Sequence, residues 1–147
     1  MPTVESQVSV AAPVERVYEI ARDIERFPQF MADVVEVEIL EQTPERQVSR
    51  WVGLIKELNR KINWTEEDFW DEESRSCEFR MLEGDYTSYG GSWKFEPEGD
   101  GCLVTLVVEF EYEVPLVGAL IKNLLKKKMQ ENCDSMLAAL KAEAEKG

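Results

Sequence analysis

Residues 116–144 read LVGALIKNLLKKKMQENCDSMLAALKAEA, and this stretch decides the fold. It follows a run of strand-like segments that finishes at Glu113. Its apolar residues recur every three or four positions, which places them along one side of a helix. We therefore predict one long C-terminal helix over residues 116–144. The apolar row consists of Val117, Ile121, Leu125, Met129, Cys133, Met136 or Leu137, and Leu140.

The length of this helix constrains the rest of the molecule. At ~1.5 Å per residue it extends for roughly 43 Å, which is too long to cap one end of a small sheet. We therefore expect it to lie along the sheet. A curved sheet around such a helix leaves an apolar space between the two, and that space is a candidate binding site.

The residues before the helix predict an antiparallel sheet. Alternating apolar and polar residues mark seven strands, and turn sequences such as Gly84-Asp85 form short hairpin connections between most of them. Two short helices lie between the first two strands. The first begins at Pro13 and ends near Arg22, and the second is capped by Asp23 and interrupted near Pro28. The predicted strands are residues 4–10, 35–39, 47–55, 60–70, 77–82, 88–95 and 103–113.

Composition excludes several classes of function. The 147 residues fit one domain, 1–147, and the net charge of −13 repels phosphate backbones, so we expect no nucleic-acid partner. The chain has no histidine, which removes Ser-His-Asp and Cys-His catalysis and histidine-ligated metal sites. We predict no cofactor and no metal.

The cysteines and the apolar runs indicate a cellular setting. Cys77, Cys102 and Cys133 are scattered without a CxxC pair, so neither zinc nor a disulfide framework is expected. This favours a reducing, cytoplasmic location. The N-terminus shows no signal-peptide pattern, and no apolar run approaches the ~20 residues needed to span a bilayer. We therefore expect no stable membrane insertion.

Five short stretches resemble a known superfamily. They are residues 12–18 (APVERVY), 23–30 (DIERFPQF), 37–40 (VEIL), 83–85 (EGD) and 91–97 (GSWKFEP). The chain resembles, over essentially its whole length, the START and birch-pollen-allergen superfamily. Within it the chain is similar to the bacterial polyketide cyclase/dehydrase branch, which includes coenzyme Q-binding proteins. The resemblance implies an α+β helix-grip fold, in which a curved antiparallel sheet of about seven strands wraps around a long C-terminal helix.

The same resemblance implies an apolar ligand cavity. Members bind lipids, isoprenoid quinones, plant hormones or polyketide chains, and only some are enzymes. In the aromatase/cyclase members, an arginine four residues after a strand tryptophan assists ring closure. Here Trp64 matches that tryptophan, but Asp68 stands four residues later. Those members also carry a tyrosine before the second strand, where this chain has Val34. Both departures count against polyketide cyclisation.

The sequence assigns no catalytic residue, and the acids Glu66 and Asp68 come nearest to that role. Trp64, Glu66 and Asp68 share one face of their strand by alternation. Two carboxyl groups on a concave apolar face could act as acid and base, because burial and like charge raise one pKa. The opposite face carries Thr65 and Glu67, so polarity does not separate the two faces. Since acids are rarely buried without partners, we interpret these residues as solvated.

The candidate ligand-binding residues come from the inward faces of the strands and the helix. Core packing alone would give the same pattern of inward apolar residues. Core packing is the favoured interpretation for four of them, Phe79, Met81, Val108 and Phe110. Trp93 fits core packing and ligand contact equally well. Gly91 lacks a side chain and could leave room for a ligand or for the long helix. Cys133 has no histidine to activate it, so we interpret it as an inert buried thiol. The full set is Trp64, Phe79, Met81, Tyr89, Trp93, Val108, Phe110, Leu125, Met129, Cys133 and Met136.

We therefore predict a protein that binds a small hydrophobic or amphipathic ligand, such as a lipid, an isoprenoid quinone or a polyketide-like molecule. One alternative is a cyclase/dehydrase-type enzyme that uses Glu66, Asp68 or tyrosines for proton transfer. A second is a protein-interaction module whose cavity is collapsed. The sequence leaves the oligomeric state open.

Overall fold

The structure is a computed structural model that describes residues 2–55, 59–112 and 119–146, with side chains of the last segment from residue 122 onward. It confirms the predicted α+β helix-grip fold. The elements in chain order are β1 (Thr3–Val10), α1 (Val14–Arg22), a 3-10 turn (Ile24–Arg26), α2 (Phe27–Phe30), β2 (Val34–Gln42), β3 (Arg46–Ile55), β4 (Arg60–Asp71), β5 (Ser76–Gly84), β6 (Ser88–Glu98), β7 (Gly101–Glu111) and α3 (Ala119–Glu145).

The seven strands form one antiparallel sheet in the order β1-β7-β6-β5-β4-β3-β2. Strands that follow one another from β2 to β7 pair as neighbours, and β1 joins the far side of β7. The short helices α1 and α2 therefore connect the two edge strands, β1 and β2. In the β3–β4 pair, Trp51 lies opposite Trp64 and Ser49 lies opposite Glu66.

Helix α3 lies along the concave face of the sheet, as its length predicts. Its buried residues Leu125, Cys133, Leu137, Leu140 and Ala144 form the expected apolar stripe. Leu137 is the buried member of the Met136/Leu137 alternative, because Met136 is only partly buried. The predicted positions Glu113, Leu116 and Val117 lie outside the described residues, as does the side chain of Ile121.

Polar contacts hold the C-terminal half of α3 against β1 and α1. Lys141 Nζ donates to the carbonyl oxygen of Ser9 at 2.9 Å, and Arg16 Nε donates to the carbonyl oxygen of Ala144 at 2.8 Å. Ser6 Oγ donates to Asp134 in the middle of the helix. Within the described part of the chain, no helix is both long enough and apolar enough to cross a bilayer.

Two local predictions differ from the structure. Strands β6 and β7 continue into the gap between the predicted strands 88–95 and 103–113, so Pro97 pairs with Cys102. This is possible because the pairing with β5 ends at Lys94, so the missing N–H of Pro97 interrupts no ladder on that side. Asp23 precedes the 3-10 turn without a side-chain capping hydrogen bond, so its predicted capping role is wrong.

Candidate ligand cavity

A cavity of about 70 Å³ lies between the concave face of the sheet and the middle of α3. Met129, Asn132, Cys133 and Met136 of α3 close it on the helix side. Aromatic side chains dominate the sheet side, which makes the space predominantly apolar. These aromatic residues are Trp51, Trp64, Phe79, Tyr86, Tyr89 and Trp93.

The aromatic rings contact one another along the cavity wall. Trp51 and Trp64 stack at 5.8 Å between centroids, because the β3–β4 register places them opposite each other. Tyr86 stacks on Tyr89 at 4.7 Å, and Tyr89 lies 5.2 Å from Trp64. Ring pairs at such distances contribute about 0.5–1.5 kcal/mol each beyond the area they bury. The wall is therefore built from mutually supporting rings.

Glu66 and Asp68 are buried, so the interpretation of these acids as solvated is wrong. Only 5% of Glu66 and 3% of Asp68 is exposed, and Glu66 lines the cavity. Trp64 Nε1 donates to Glu66 Oε1 at 2.7 Å, while Ser49 Oγ donates to Asp68 Oδ2 at 3.1 Å. Trp51 Nε1 donates to Ser49 Oγ at 2.9 Å. These donors from β3 and β4 are the partners that make the burial of two acids possible.

The two buried carboxyl groups raise or lower each other's pKa. Burial, followed by the charge of Asp68 and a hydrogen bond to it, raises the pKa of Glu66 well above its ordinary value. Burial also raises the pKa of Asp68, but hydrogen bonds from Glu66 and Ser49 oppose that rise. The protonated form is therefore favoured most at Glu66, the member of the pair that borders the cavity.

The neighbouring Glu67 has the opposite environment on the other face of β4. Arg46 Nε lies 2.6 Å from one of its carboxylate oxygens, and Arg80 Nη2 lies 2.7 Å from the other. Hydrogen bonds from Arg80 and Arg46 lower the pKa of Glu67. The two arginines therefore favour the ionised form of Glu67, whereas burial favours the protonated form of the adjacent Glu66.

Most of the predicted ligand-binding residues come together at this cavity. Phe110 and Leu125 instead border a smaller neighbouring space of about 20 Å³, and Met81 is partly buried outside both. The eight residues that line the main cavity are Trp64, Phe79, Tyr89, Trp93, Val108, Met129, Cys133 and Met136.

The structure also shows the roles of two further predicted residues, Gly91 and Cys133. An added side chain at Gly91 would collide with the carbonyl oxygen of Val107, so this glycine serves the close approach of β7 and does not leave room for a ligand. Burial raises the pKa of the Cys133 thiol to about 12, which agrees with its interpretation as an unreactive thiol.

Sequence reasoning missed Trp51 and Tyr86 as cavity residues. Trp51 shares its strand face with Gln47 and Ser49, whereas the apolar Val48 lies on the other face, so alternation did not mark Trp51 as inward. Tyr86 lies between β5 and β6, at a position that the sequence marks as a turn. The ring contacts of Tyr86 with Trp64 and Tyr89 exist only because the sheet curves there.

Comparison with known proteins gives relatives of two kinds. The chain is 31% identical over 140 residues to the actinorhodin polyketide synthase bifunctional cyclase/dehydratase of Streptomyces coelicolor. This match covers 92% of the chain but only 42% of that relative. The ribosome association toxin RatA of Escherichia coli is 25% identical over 118 residues, covering 80% of the chain and 73% of RatA.

Among solved structures, TTHA0849 from Thermus thermophilus superposes with a TM-score of 0.93 at 36% identity, over 97% of each chain. A family model described as "Polyketide cyclase / dehydrase and lipid transport" matches residues 1–145. These matches confirm the START-like ligand-binding fold and the branch that the sequence motifs predict. The chain belongs to the polyketide cyclase / dehydrase and lipid transport family.

Proposed function

We propose that this protein binds a small hydrophobic or amphipathic molecule in the cavity between its sheet and α3. The observation that carries the proposal is the cavity itself, in which an aromatic wall faces Met129 and Met136. Aromatic and apolar lining with a few polar groups is typical of small-molecule sites. The proposal treats residues 1–147 as one binding domain.

The size of the cavity shows what binding requires. An apolar cavity of about 150 Å³ holds benzene, whereas this space measures about 70 Å³. A lipid-sized molecule therefore needs side chains to move. Met129 and Met136 are both partly buried, and their unbranched side chains repack readily. We expect α3 to adapt to the ligand through these two residues.

A titration with 1-octanol tests the proposal. We expect 1-octanol to raise the melting temperature and to change the fluorescence of the cavity residues Trp51 and Trp64. Native mass spectrometry after gentle purification should show a co-purified apolar molecule. If neither effect is found, the interaction module with a filled interior becomes the better account.

Two phenylalanine variants separate cavity binding from surface binding. Met136→Phe adds volume inside the cavity and should abolish the response to 1-octanol. Met81→Phe adds the same volume at a partly buried site outside the cavity and should leave the response intact. Equal responses from the two variants would contradict binding in this cavity.

Proton transfer by Glu66 is a second candidate function. Its carboxyl group lines the cavity, and burial raises its pKa well above the ordinary value, which favours the protonated state that a general acid needs. Incubation with a poly-β-keto substrate should then give a cyclised or dehydrated product that Glu66→Gln does not form. Absence of product with the unmodified protein counts against this candidate.

We also propose a cytoplasmic location. The three thiols, Cys77, Cys102 and Cys133, are buried and free, which suits a reducing compartment. Cell fractionation tests this, and recovery outside the cytoplasm would contradict it.

A further inference from the structure

Among the described residues, the buried Glu66–Asp68 pair has no positively charged partner. Ser49 Oγ and Trp64 Nε1 are the donors to the two side chains, and both are neutral. Within residues 2–55, 59–112 and 122–146, no lysine or arginine forms an ion pair with Glu66 or Asp68. Buried charges are normally paired, so ionisation of this pair leaves a negative charge behind the cavity wall that no described cation compensates.

The described cavity lining is acidic as well as aromatic. Its ionisable carboxyl groups are Asp33 and Glu66, and it includes no lysine or arginine. Lys128 borders the smaller neighbouring space, where it pairs with Glu131 at 3.0 Å. Arg60 lies over the ring of Tyr112. The described cations closest to the cavity are thus already engaged outside it.

The aromatic wall adds to the same preference. The faces of tryptophan and tyrosine rings are electron-rich and attract cations, most strongly where water is excluded. Trp51, Trp64, Tyr86 and Tyr89 all line the space that Glu66 borders. An ammonium group in this space would meet ring faces and the hydrogen-bonded carboxyl pair together.

From these contacts we propose that the cavity selects an apolar molecule whose polar end is a positively charged amine, in preference to a neutral alcohol or a carboxylate. This inference rests on the proposed binding function and names the ligand class of the same site. The ammonium donates to the carboxyl group of Glu66, which lines the cavity, and its charge compensates the negative charge of the Glu66–Asp68 pair. The apolar chain lies against Met129 and Met136.

Three ligands of equal chain length test the selection at pH 7 and about 0.15 M salt: octylamine, 1-octanol and octanoate. Tryptophan fluorescence and calorimetry measure each affinity. We expect octylamine to bind on the order of tenfold more tightly than 1-octanol, as for a hydrogen bond to a charged group, and octanoate to bind most weakly. If 1-octanol binds as tightly as octylamine, or octanoate more tightly, the selection is overturned while the proposed function stands. If none binds, both are overturned.

Two matched variants distinguish binding of the amine in the cavity from its non-specific electrostatic attraction to a protein of net negative charge. Asp68→Asn and Glu67→Gln each remove one negative charge from neighbouring residues, and neither residue lines the cavity. Asp68→Asn should remove the preference for octylamine over 1-octanol, whereas Glu67→Gln should keep that preference. An equal loss in both variants would overturn the inference. The ranking of the three ligands by the unmodified protein is decisive even if a variant fails to fold.

Discussion

Glu66 and Glu67 are neighbours in one strand, yet the two faces of the sheet give them opposite chemistry. Glu66 points to the concave face, where burial raises its pKa and a tryptophan N–H and an aspartate are its partners. Glu67 points to the convex face, where Arg46 and Arg80 lower its pKa. Glu67 is only 6% exposed and Glu66 5%, so the difference lies in their partners: the neighbouring strands decide whether an acid meets two arginines or a tryptophan N–H and a second acid at a cavity.

The largest expected effect is a loss of stability when a side chain on the concave face, that of Trp64, is truncated. Trp64→Ala removes the donor to Glu66 and the ring that contacts Trp51 and Tyr89, so we expect the free energy of unfolding to fall by about 3–5 kcal/mol. The matched change on the convex face is Phe69→Ala, at a residue that is 41% exposed, with an expected loss below about 1 kcal/mol. Urea unfolding measures both, and similar losses would show that the faces do not differ as described.

The second prediction uses pH to separate the two glutamates. Because folding raises the pKa of Glu66, stability should fall as pH rises above 4.5 toward the folded-state pKa, by at most about 1.4 kcal/mol per pH unit. Folding lowers the pKa of Glu67, so its contribution is present above 4.5 and is lost as pH falls through the lowered value.

Unfolding curves across a pH series check these signs. Glu66→Gln should flatten part of the decline above pH 4.5, with Asp68 responsible for the remainder. Glu67→Gln should flatten the decline below pH 4.5 and leave the upper range unchanged. A variant that changes the opposite range would reverse our assignment of the two environments.

The third prediction concerns the uncompensated charge. Asp68→Asn removes a buried negative charge while keeping the shape of the side chain, so at pH 8 we expect the unfolding free energy to rise by about 1 kcal/mol. Glu67→Gln should instead lower stability, because it leaves Arg46 and Arg80 without their shared partner. Thermal unfolding of the two variants decides this, and destabilisation by Asp68→Asn would indicate a positive partner for that charge.

The smallest expected effect lies entirely on the convex face. Arg80→Gln removes one of the two cations at Glu67, and Arg46 remains at 2.6 Å. The pKa of Glu67 should therefore rise only part of the way toward its ordinary value, while the pKa of Glu66 stays unchanged. Carbon-detected NMR titration of the glutamate carboxyl groups measures both, and a change at Glu66 would show coupling between the faces.

The cavity was only partly predictable. Alternation correctly placed Trp64, Glu66 and Asp68 on one face, because side-chain direction in a strand follows from local geometry. It did not show that this face is concave, because Thr65 and Glu67 on the opposite face are also polar. Alternation also could not predict that Trp51 lies opposite Trp64 or that Tyr86 lines the cavity. Both depend on the register and the curvature of several strands.

By itself, the sequence determined the element order, the apolar stripe of α3 and the antiparallel sheet, because local periodicity and turn residues encode them. Only the tertiary structure decided the burial of Glu66 and Asp68 and the side of the sheet on which their charge lies. The physical reason is that ionisation depends on solvation and on donors from residues distant in sequence, such as Ser49. Those donors reach the acids only when β3 and β4 pair and α3 covers them.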